Sequence, residues 1–365
     1  MKRVLLPMLL FPAVLALAGC VSISDPQEGV TVPSPVHVRA IVSTPTQNPD
    51  GSWTVKPGDK QARAEVRIDG TLKETFTGPS GGADSISIDR NYPLSNGAHT
   101  LTITGFEKDG DTTQDTRHFT VGAPAIKNVV WIFFENHGYN QVRSVGEFKT
   151  LADTYGDATN FFAHTHPSQP NYVYATAGQT CGITSDALAT CSAENIFHQV
   201  GDSQWRSYQE SMASNCNRTT SGPSPVKHDP ARIFTNVNCP ANDLPLPASP
   251  SFDRKFTFVT PNLCNDAHDC SIQTASDFLA SFTPEVLNSP QYKAGQLLYV
   301  VTFDEDNGSE GNHIYTTLVH ERARGKKVGT SYNFCNLLAT TEDLLGVGRA
   351  GCAVGAASMK ASFGL

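Results

Sequence analysis

Carboxylates, amides and imidazoles collect in three short stretches of this sequence, and a serine between two prolines stands in a fourth. Glu135-Asn136-His137 comes first. Asn262, Asp266, His268 and Asp269 lie in PNLCNDAHDC. Asp304, Glu305 and Asp306 follow VVTF, with Glu310 and His313 close behind. Like charges this crowded repel one another unless something positive sits among them. An EF-hand loop starting at Asp304 would need Gly at its sixth position and Glu at its twelfth. Those positions hold Ser309 and Tyr315, so a calcium loop is excluded. Asp306 to Gly311 then reads as a solvated turn. Ser168, in HTHPSQPNYVYATAG (164–178), is the candidate nucleophile. At a helix start it would see oriented backbone N–H groups, and a nearby metal would lower its pKa. The plainer reading is a Pro-rich turn whose serine caps the helix.

The elements that must bring these stretches together are legible in the hydrophobic pattern. IKNVVWIFF (126–134), KFTFVT (255–260) and GQLLYVVTF (295–303) are nearly continuous apolar runs. Such runs suit strands buried on both faces of a parallel sheet. Each leads into one of the three polar clusters. Ligands in open α/β sheets bind outside the carboxyl ends of the strands, so three such ends converging make a metal or phosphate site. Helices are expected over 145–156, 274–289 and 334–346. Residues 210–252, rich in Pro, Asn, Ser and Cys, read as a long disulfide-stapled insertion. Upstream, residues 20–122 alternate apolar and polar residues in ARAEVRID, DSISIDR and HTLTITGFE, with a turn signal at Asn96-Gly97. This is the pattern of a small antiparallel sandwich, similar to bacterial immunoglobulin-like modules. GAPA (122–125) reads as a linker.

Four motifs, IKNVVWIFFENHGYNQV, HTHPSQPNYVYATAGQ, FTFVTPNLCNDAHDCS and LLYVVTFDED, resemble in order and character the phosphoesterase family of bacterial acid phosphatases and phosphocholine-type phospholipases C. The resemblance runs from Ile126 to Leu345. It implies an α/β catalytic domain at 126–365, a mostly parallel mixed sheet sandwiched by helices as in alkaline phosphatase. It implies Ser168 as nucleophile, Glu135 and Asn136 as metal ligands, and Asp304 and Glu305 as a second metal pair. Asn136 could instead bind a phosphoryl oxygen. His166 and Asp266 would contact phosphate, His268 would stand beside the phosphoryl group, and His313 would lie on the substrate side. Many members carry a His at the start of the last helix; here that slot holds Phe334. His268 or His313 would then have to protonate the leaving group. The implied cofactor is a divalent metal. Its donors are mostly oxygen with imidazole available, so Mg²⁺, Ca²⁺, Mn²⁺ and Zn²⁺ all remain open. The implied substrate is a phosphate monoester, or alternatively a phospholipid diester. A non-catalytic surface lipoprotein that binds through its sandwich is the competing class. The C-x-P-x-R stretch of sulfatases is absent.

Composition sets the remaining bounds. The 365 residues carry a net charge of −8 and no basic stripe, which argues against a nucleic-acid partner. Lys2-Arg3 and the apolar run to Ala18 form a signal peptide (1–19). Its ending, Leu17-Ala18-Gly19-Cys20, resembles a lipoprotein box and predicts a lipid anchor at Cys20 in the cell envelope, facing the periplasm or the cell surface. No later run is long and apolar enough to span a bilayer. Eight further cysteines in an oxidising compartment favour four disulfides. The simplest pairing joins sequence neighbours: 181–191, 216–239, 264–270 and 335–352. Zinc is the weaker reading, because no C-x-x-C occurs. The other histidines, His228 among them, show no partner pattern and read as solvated or satisfied in the core. His164 could support the site from behind.

Overall fold

The computed structural model describes residues 20–365 except Ser221. The signal peptide read at residues 1–19 and the Cys20 side chain lie outside the described residues. The chain divides between Pro124 and Ala125 into two compact units.

The first unit is an all-β sandwich. One sheet joins Cys20–Asp25, Val36–Ser43 and Ser85–Tyr92; the other joins Thr31–Val32, Thr112–Val121, Gly97–Glu107, Gln61–Ile68 and Thr71–Thr77. The alternation seen in the sequence is the reason. Val36, Val38, Ala40 and Val42 point inward from one strand, and Ala64, Val66 and Ile68 meet them from the other sheet.

The second unit holds an eight-stranded sheet. Its strands are β1 (Asn128–Phe134), β2 (Gly156–Ala158), β3 (Trp205–Gln209), β4 (Asp243–Pro245), β5 (Phe256–Thr260), β6 (Leu297–Phe303), β7 (Thr316–Val319) and β8 (Lys327–Val328). Their order is β4-β3-β5-β1-β6-β7-β2-β8. Only β7 runs against its neighbours. Every residue of β1, β5 and β6 is buried, as continuous apolar runs require. Four helices matter here: α1 (Gly146–Thr154), α2 (Ser168–Ala177), α3 (Ile272–Leu287) and α4 (Phe334–Leu345). Consecutive side chains of a strand face opposite sides. Phe134 therefore meets Phe148 of α1, while Phe133 meets Tyr172 of α2 and Phe334 of α4. The sheet is thus covered on both faces, giving the α/β architecture with a mixed, mostly parallel sheet.

The four disulfides join Cys181–Cys191, Cys216–Cys239, Cys264–Cys270 and Cys335–Cys352. All eight cysteines are thereby spent, so none offers a thiolate to a metal. The 210–252 segment is more than an insertion. It supplies edge strand β4 and a single 3₁₀ turn, Val226–His228. Among the described residues no helix is long and apolar enough to cross a membrane.

Candidate active site

The site forms where β1, β5 and β6 end. β1 and β6 pair in register, with Phe134 opposite Phe303 on the α1 face. The next residues, Glu135 and Asp304, therefore turn together toward α2. The Asp304 N–H donates to Phe134 O at 2.9 Å, and the Glu135 N–H donates to Asp266 O at 2.8 Å. The ends of β1 and β6 and the loop that follows β5 are thus tied by backbone bonds. Asn136 and Ala267 take the left-handed region, at φ 56° and 77°. For Ala267 this costs on the order of 1 kcal/mol, and such residues cluster where function dictates the backbone.

α2 delivers Ser168. The helix cap is Pro167, so Ser168 is not the cap but the first helical residue. Its Oγ donates to Glu135 Oε2 at 2.9 Å and lies 3.4 Å from Glu305 Oε1. One turn on, the Tyr172 hydroxyl donates to Glu135 Oε1 at 2.7 Å. The Asn171 amide donates to Glu305 Oε2 at 3.3 Å while its oxygen accepts from the His164 and Thr165 amides. α2 ends at Gly178, where a Cβ would stand 2.8 Å from Ala350 O; only glycine admits this approach, which Cys335–Cys352 secures. His166 lies between two carboxylates, Nδ1 at 3.0 Å from Glu305 and Nε2 at 3.3 Å from Asp306. Asp306 is buried and accepts from the Gly308 amide, so the turn after Glu305 is anchored rather than solvated at its start.

The structure adds a residue that the sequence pattern missed. His228 is fully buried, its ring stacked on Tyr172 at 5.3 Å. Nδ1 lies 3.2 Å from Asp266 Oδ2 and Nε2 lies 3.0 Å from Glu135 Oε1. Thr260, the last residue of β5, holds it by donating to His228 O at 3.0 Å. No strand end or metal-ligand spacing marks His228. The one local signal is its setting in Lys-His-Asp-Pro. His268 comes to the same place, and Glu135, His228 and His268 each offer a ligand atom within 4.8 Å of the others.

His313, in contrast, is carried elsewhere. Its Nε2 faces Thr159 O at 3.1 Å, and its ring stacks on Tyr139 at 4.7 Å. Phe334 is buried between Phe133 and Phe161, so the slot of the missing family histidine is core. The Asn136 side chain has no hydrogen bond within the cluster. Its backbone N–H donates to Asp304 Oδ1 at 3.2 Å. His164 stacks on Tyr174 at 3.7 Å.

Burial drives the electrostatics. Glu135 is pushed well above the usual carboxylate range by desolvation and then by Asp266. Asp304 is pushed up by desolvation, then by Glu135 and Glu305. Desolvation lifts Asp266 to about 8, and raises Glu305 against the pull of His166. Burial, Lys227 and His268 hold His228 well below its ordinary value, so its imidazole is neutral. His228 Nε2 comes 3.0 Å from Glu135 Oε1 without the geometry of a hydrogen bond. Nε2 and Asp304 Oδ2 are both buried without a hydrogen-bond partner. These residues fit a divalent metal. Two neighbouring oxygen donors each about 2.1 Å from one octahedral ion would lie about 3.0 Å apart. Glu135, His228 and His268 are the donors within reach of one another, while Asp304 presses on Glu135 electrostatically and Glu305 stands beside Ser168.

A family model described as "Phosphoesterase family" matches residues 135–334, more than half of the chain, from Glu135 at the end of β1 to Phe334 at the start of α4. The chain belongs to the phosphoesterase family. Its relatives in the family include a probable acid phosphatase of Kluyveromyces lactis, 28% identical over 63% of this chain and 61% of that protein. An acid phosphatase of Aspergillus fumigatus is 29% identical over 58% of this chain and 52% of its own length. A phosphatidylinositol-3-phosphatase of Mycobacterium tuberculosis is 29% identical over 64% of this chain and 81% of its own length. The chain thus spans only about half to three fifths of the two acid phosphatases. Among solved structures, an alkaline phosphatase superfamily protein of Vibrio parahaemolyticus aligns over 66% of this chain and 71% of its own, at 12% identity and a TM-score of 0.49.

Proposed function

We propose that this phosphoesterase-family chain is a metal-dependent hydrolase of phosphate esters that works through a phosphoserine at Ser168. The observation that carries the reading is the placement of Ser168 Oγ on the first residue of α2, 2.9 Å from Glu135 Oε2 and beside Glu305. The names of the relatives support hydrolysis of phosphate esters.

Glu135 and His228 would hold the metal, joined by Asp304 and Glu305, the second metal pair that the family resemblance implies. When bound, a divalent cation supplies the positive charge that stabilises phosphoryl oxygens and favours the serine alkoxide. Ser168 Oγ attacks phosphorus in line as its proton passes to Glu135 Oε2. The ester P–O bond breaks opposite, and the leaving oxygen takes a proton from solvent. Tyr172 and Asn171 keep Glu135 and Glu305 oriented throughout. His166, half exposed between Glu305 and Asp306, faces the solvent side where phosphate enters. Water then cleaves the phosphoserine and returns Ser168. The lipid anchor at Cys20 and the cell-envelope location belong to the same proposal. Loss of palmitate labelling in Cys20→Ser checks them.

The test is Ser168→Ala assayed on p-nitrophenyl phosphate with metal content and folding measured in parallel. The expected result is a folded, metal-loaded protein without turnover. An active Ser168→Ala protein would overturn the nucleophile.

A further inference from the structure

Phe334 and the remote His313 leave open which group meets the phosphate at the mouth of the site. His268 does not fill that role. Its Nδ1 lies 2.7 Å from Asp269 Oδ1, which places the ring proton there. Its Nε2 lies 3.2 Å from Lys227 Nζ. An ammonium carries three protons and no lone pair, so Nε2 must accept and has no proton to give. The proton-bearing group at this point is Lys227.

Lys227 is held by design of the surrounding chain. It precedes His228 in the 3₁₀ turn. Its Nζ lies 3.1 Å from Asp186 Oδ2, and the other oxygen of Asp186 accepts the Gln169 N–H at 3.0 Å. Gln169 follows Ser168. One carboxylate therefore ties the ammonium to the turn that carries the nucleophile. Two of the three ammonium protons are used, by Asp186 and His268. Among the described residues no hydrogen bond takes the third. The side chain is 23% exposed, so a ligand can reach it. Glu135, Asp266 and Asp304 act on it electrostatically, a setting that repels an anionic substrate unless a cation is presented at the rim.

We propose that Lys227 is a phosphate-binding residue that donates its third N–H to a non-bridging phosphoryl oxygen, with Asp186 as the positioning residue, and that it biases the site toward monoesters. A monoester dianion carries one more negative charge than a diester, so it gains more from a fixed ammonium. This rests on the reading of the chain as a phosphoester hydrolase.

The experiment uses the full metal-loaded chain as wild type, Lys227→Met, Lys227→Arg and Asp186→Asn. Binding of inorganic phosphate is measured by calorimetry. kcat and KM are measured on p-nitrophenyl phosphate and bis-p-nitrophenyl phosphate, with metal content and Tm alongside. Lys227→Met is expected to bind phosphate at least about tenfold more weakly, the worth of a hydrogen bond to a charged group. The loss should appear mainly in KM and be larger for the monoester. Lys227→Arg should recover part of it, and Asp186→Asn should fall between. Unchanged phosphate affinity together with an unchanged monoester-to-diester ratio in Lys227→Met would overturn the proposal. Should that variant fail to fold, the phosphate affinities of Lys227→Arg and Asp186→Asn decide in the same way. A wild-type protein that binds phosphate but hydrolyses neither ester would sink the hydrolase reading alone, since phosphate affinity still judges Lys227.

Discussion

Replacing Asp304 by Asn separates the two demands made on this residue, stability and metal binding. Asp304 is fully buried; Oδ1 accepts the Asn136 N–H at 3.2 Å and Oδ2 has no donor. An Asn side chain keeps the Oδ1 acceptor and turns an NH₂ toward Glu135 and Glu305. Two carboxylates about 5 Å apart at an effective dielectric constant near 20 repel by about 3 kcal/mol. Proton uptake relieves part of this in the metal-free protein, so Asp304→Asn should gain about 1–2 kcal/mol there. The folded pKa of Asp304 is raised, so the proton-bound stability is full at low pH and lost as pH rises through that value. The advantage of Asn therefore grows with pH. With metal the order reverses. A ligand at a hundred times its Kd stabilises by about 2.7 kcal/mol, and the variant loses a charged donor. Urea unfolding at about pH 8, in EDTA and in excess metal, reads both terms. Asp304→Asn less stable than wild type in EDTA, or gaining equally from metal, would refute the argument.

Other expectations follow from single contacts. His228→Ala should lower metal affinity and cut turnover by about a hundredfold or more, measured by metal content and kcat/KM; full activity would remove His228 from the site. His313→Ala should leave kcat within about twofold and cost about 1 kcal/mol of stability from the lost Tyr139 stack; a hundredfold drop in kcat would place His313 on the substrate. Glu342 is buried and accepts from Gln199 and the Ala350 amide at Oε1, while Oε2 has no donor, and desolvation pushes its pKa up to about 7. Its contribution is full below 4.5 and lost as pH rises through about 7. Glu342→Gln should therefore flatten Tm against pH and be the more stable form at about pH 8, and a parallel Tm profile would refute this.

Much of the scaffold was legible in local sequence. Burial on both faces forces continuous apolar strands, so β1, β5 and β6 could be placed nearly to the residue, and burial on one face forces the alternation that marks the sandwich. Expectations for the long helices fell close, at 145–156 against Gly146–Thr154 and 274–289 against Ile272–Leu287. Disulfide partners close in sequence were also within reach, because short loops keep the cysteines near one another. The short strands β2, β4 and β8 were not legible. Each has two or three residues, too few for a period to show.

For the site, the sequence by itself determined which residues stand at the ends of buried strands: Glu135, Asp266, Asp304 and Glu305, with Ser168 ahead of an expected helix. A strand end is a local property, and polar residues there need no partner to be noticed. Only the tertiary structure decided what converges on them. His228 and Lys227 sit on a turn inside a Pro-rich segment and arrive through the bond from Thr260 to His228 O and through Asp186. His313 lies close to Asp304 in sequence yet turns away to Tyr139 and Thr159. Sequence distance is a poor guide here because the sheet register, which pairs Phe134 with Phe303, sets where each loop begins. The long-range hydrogen bonds then set where each side chain ends.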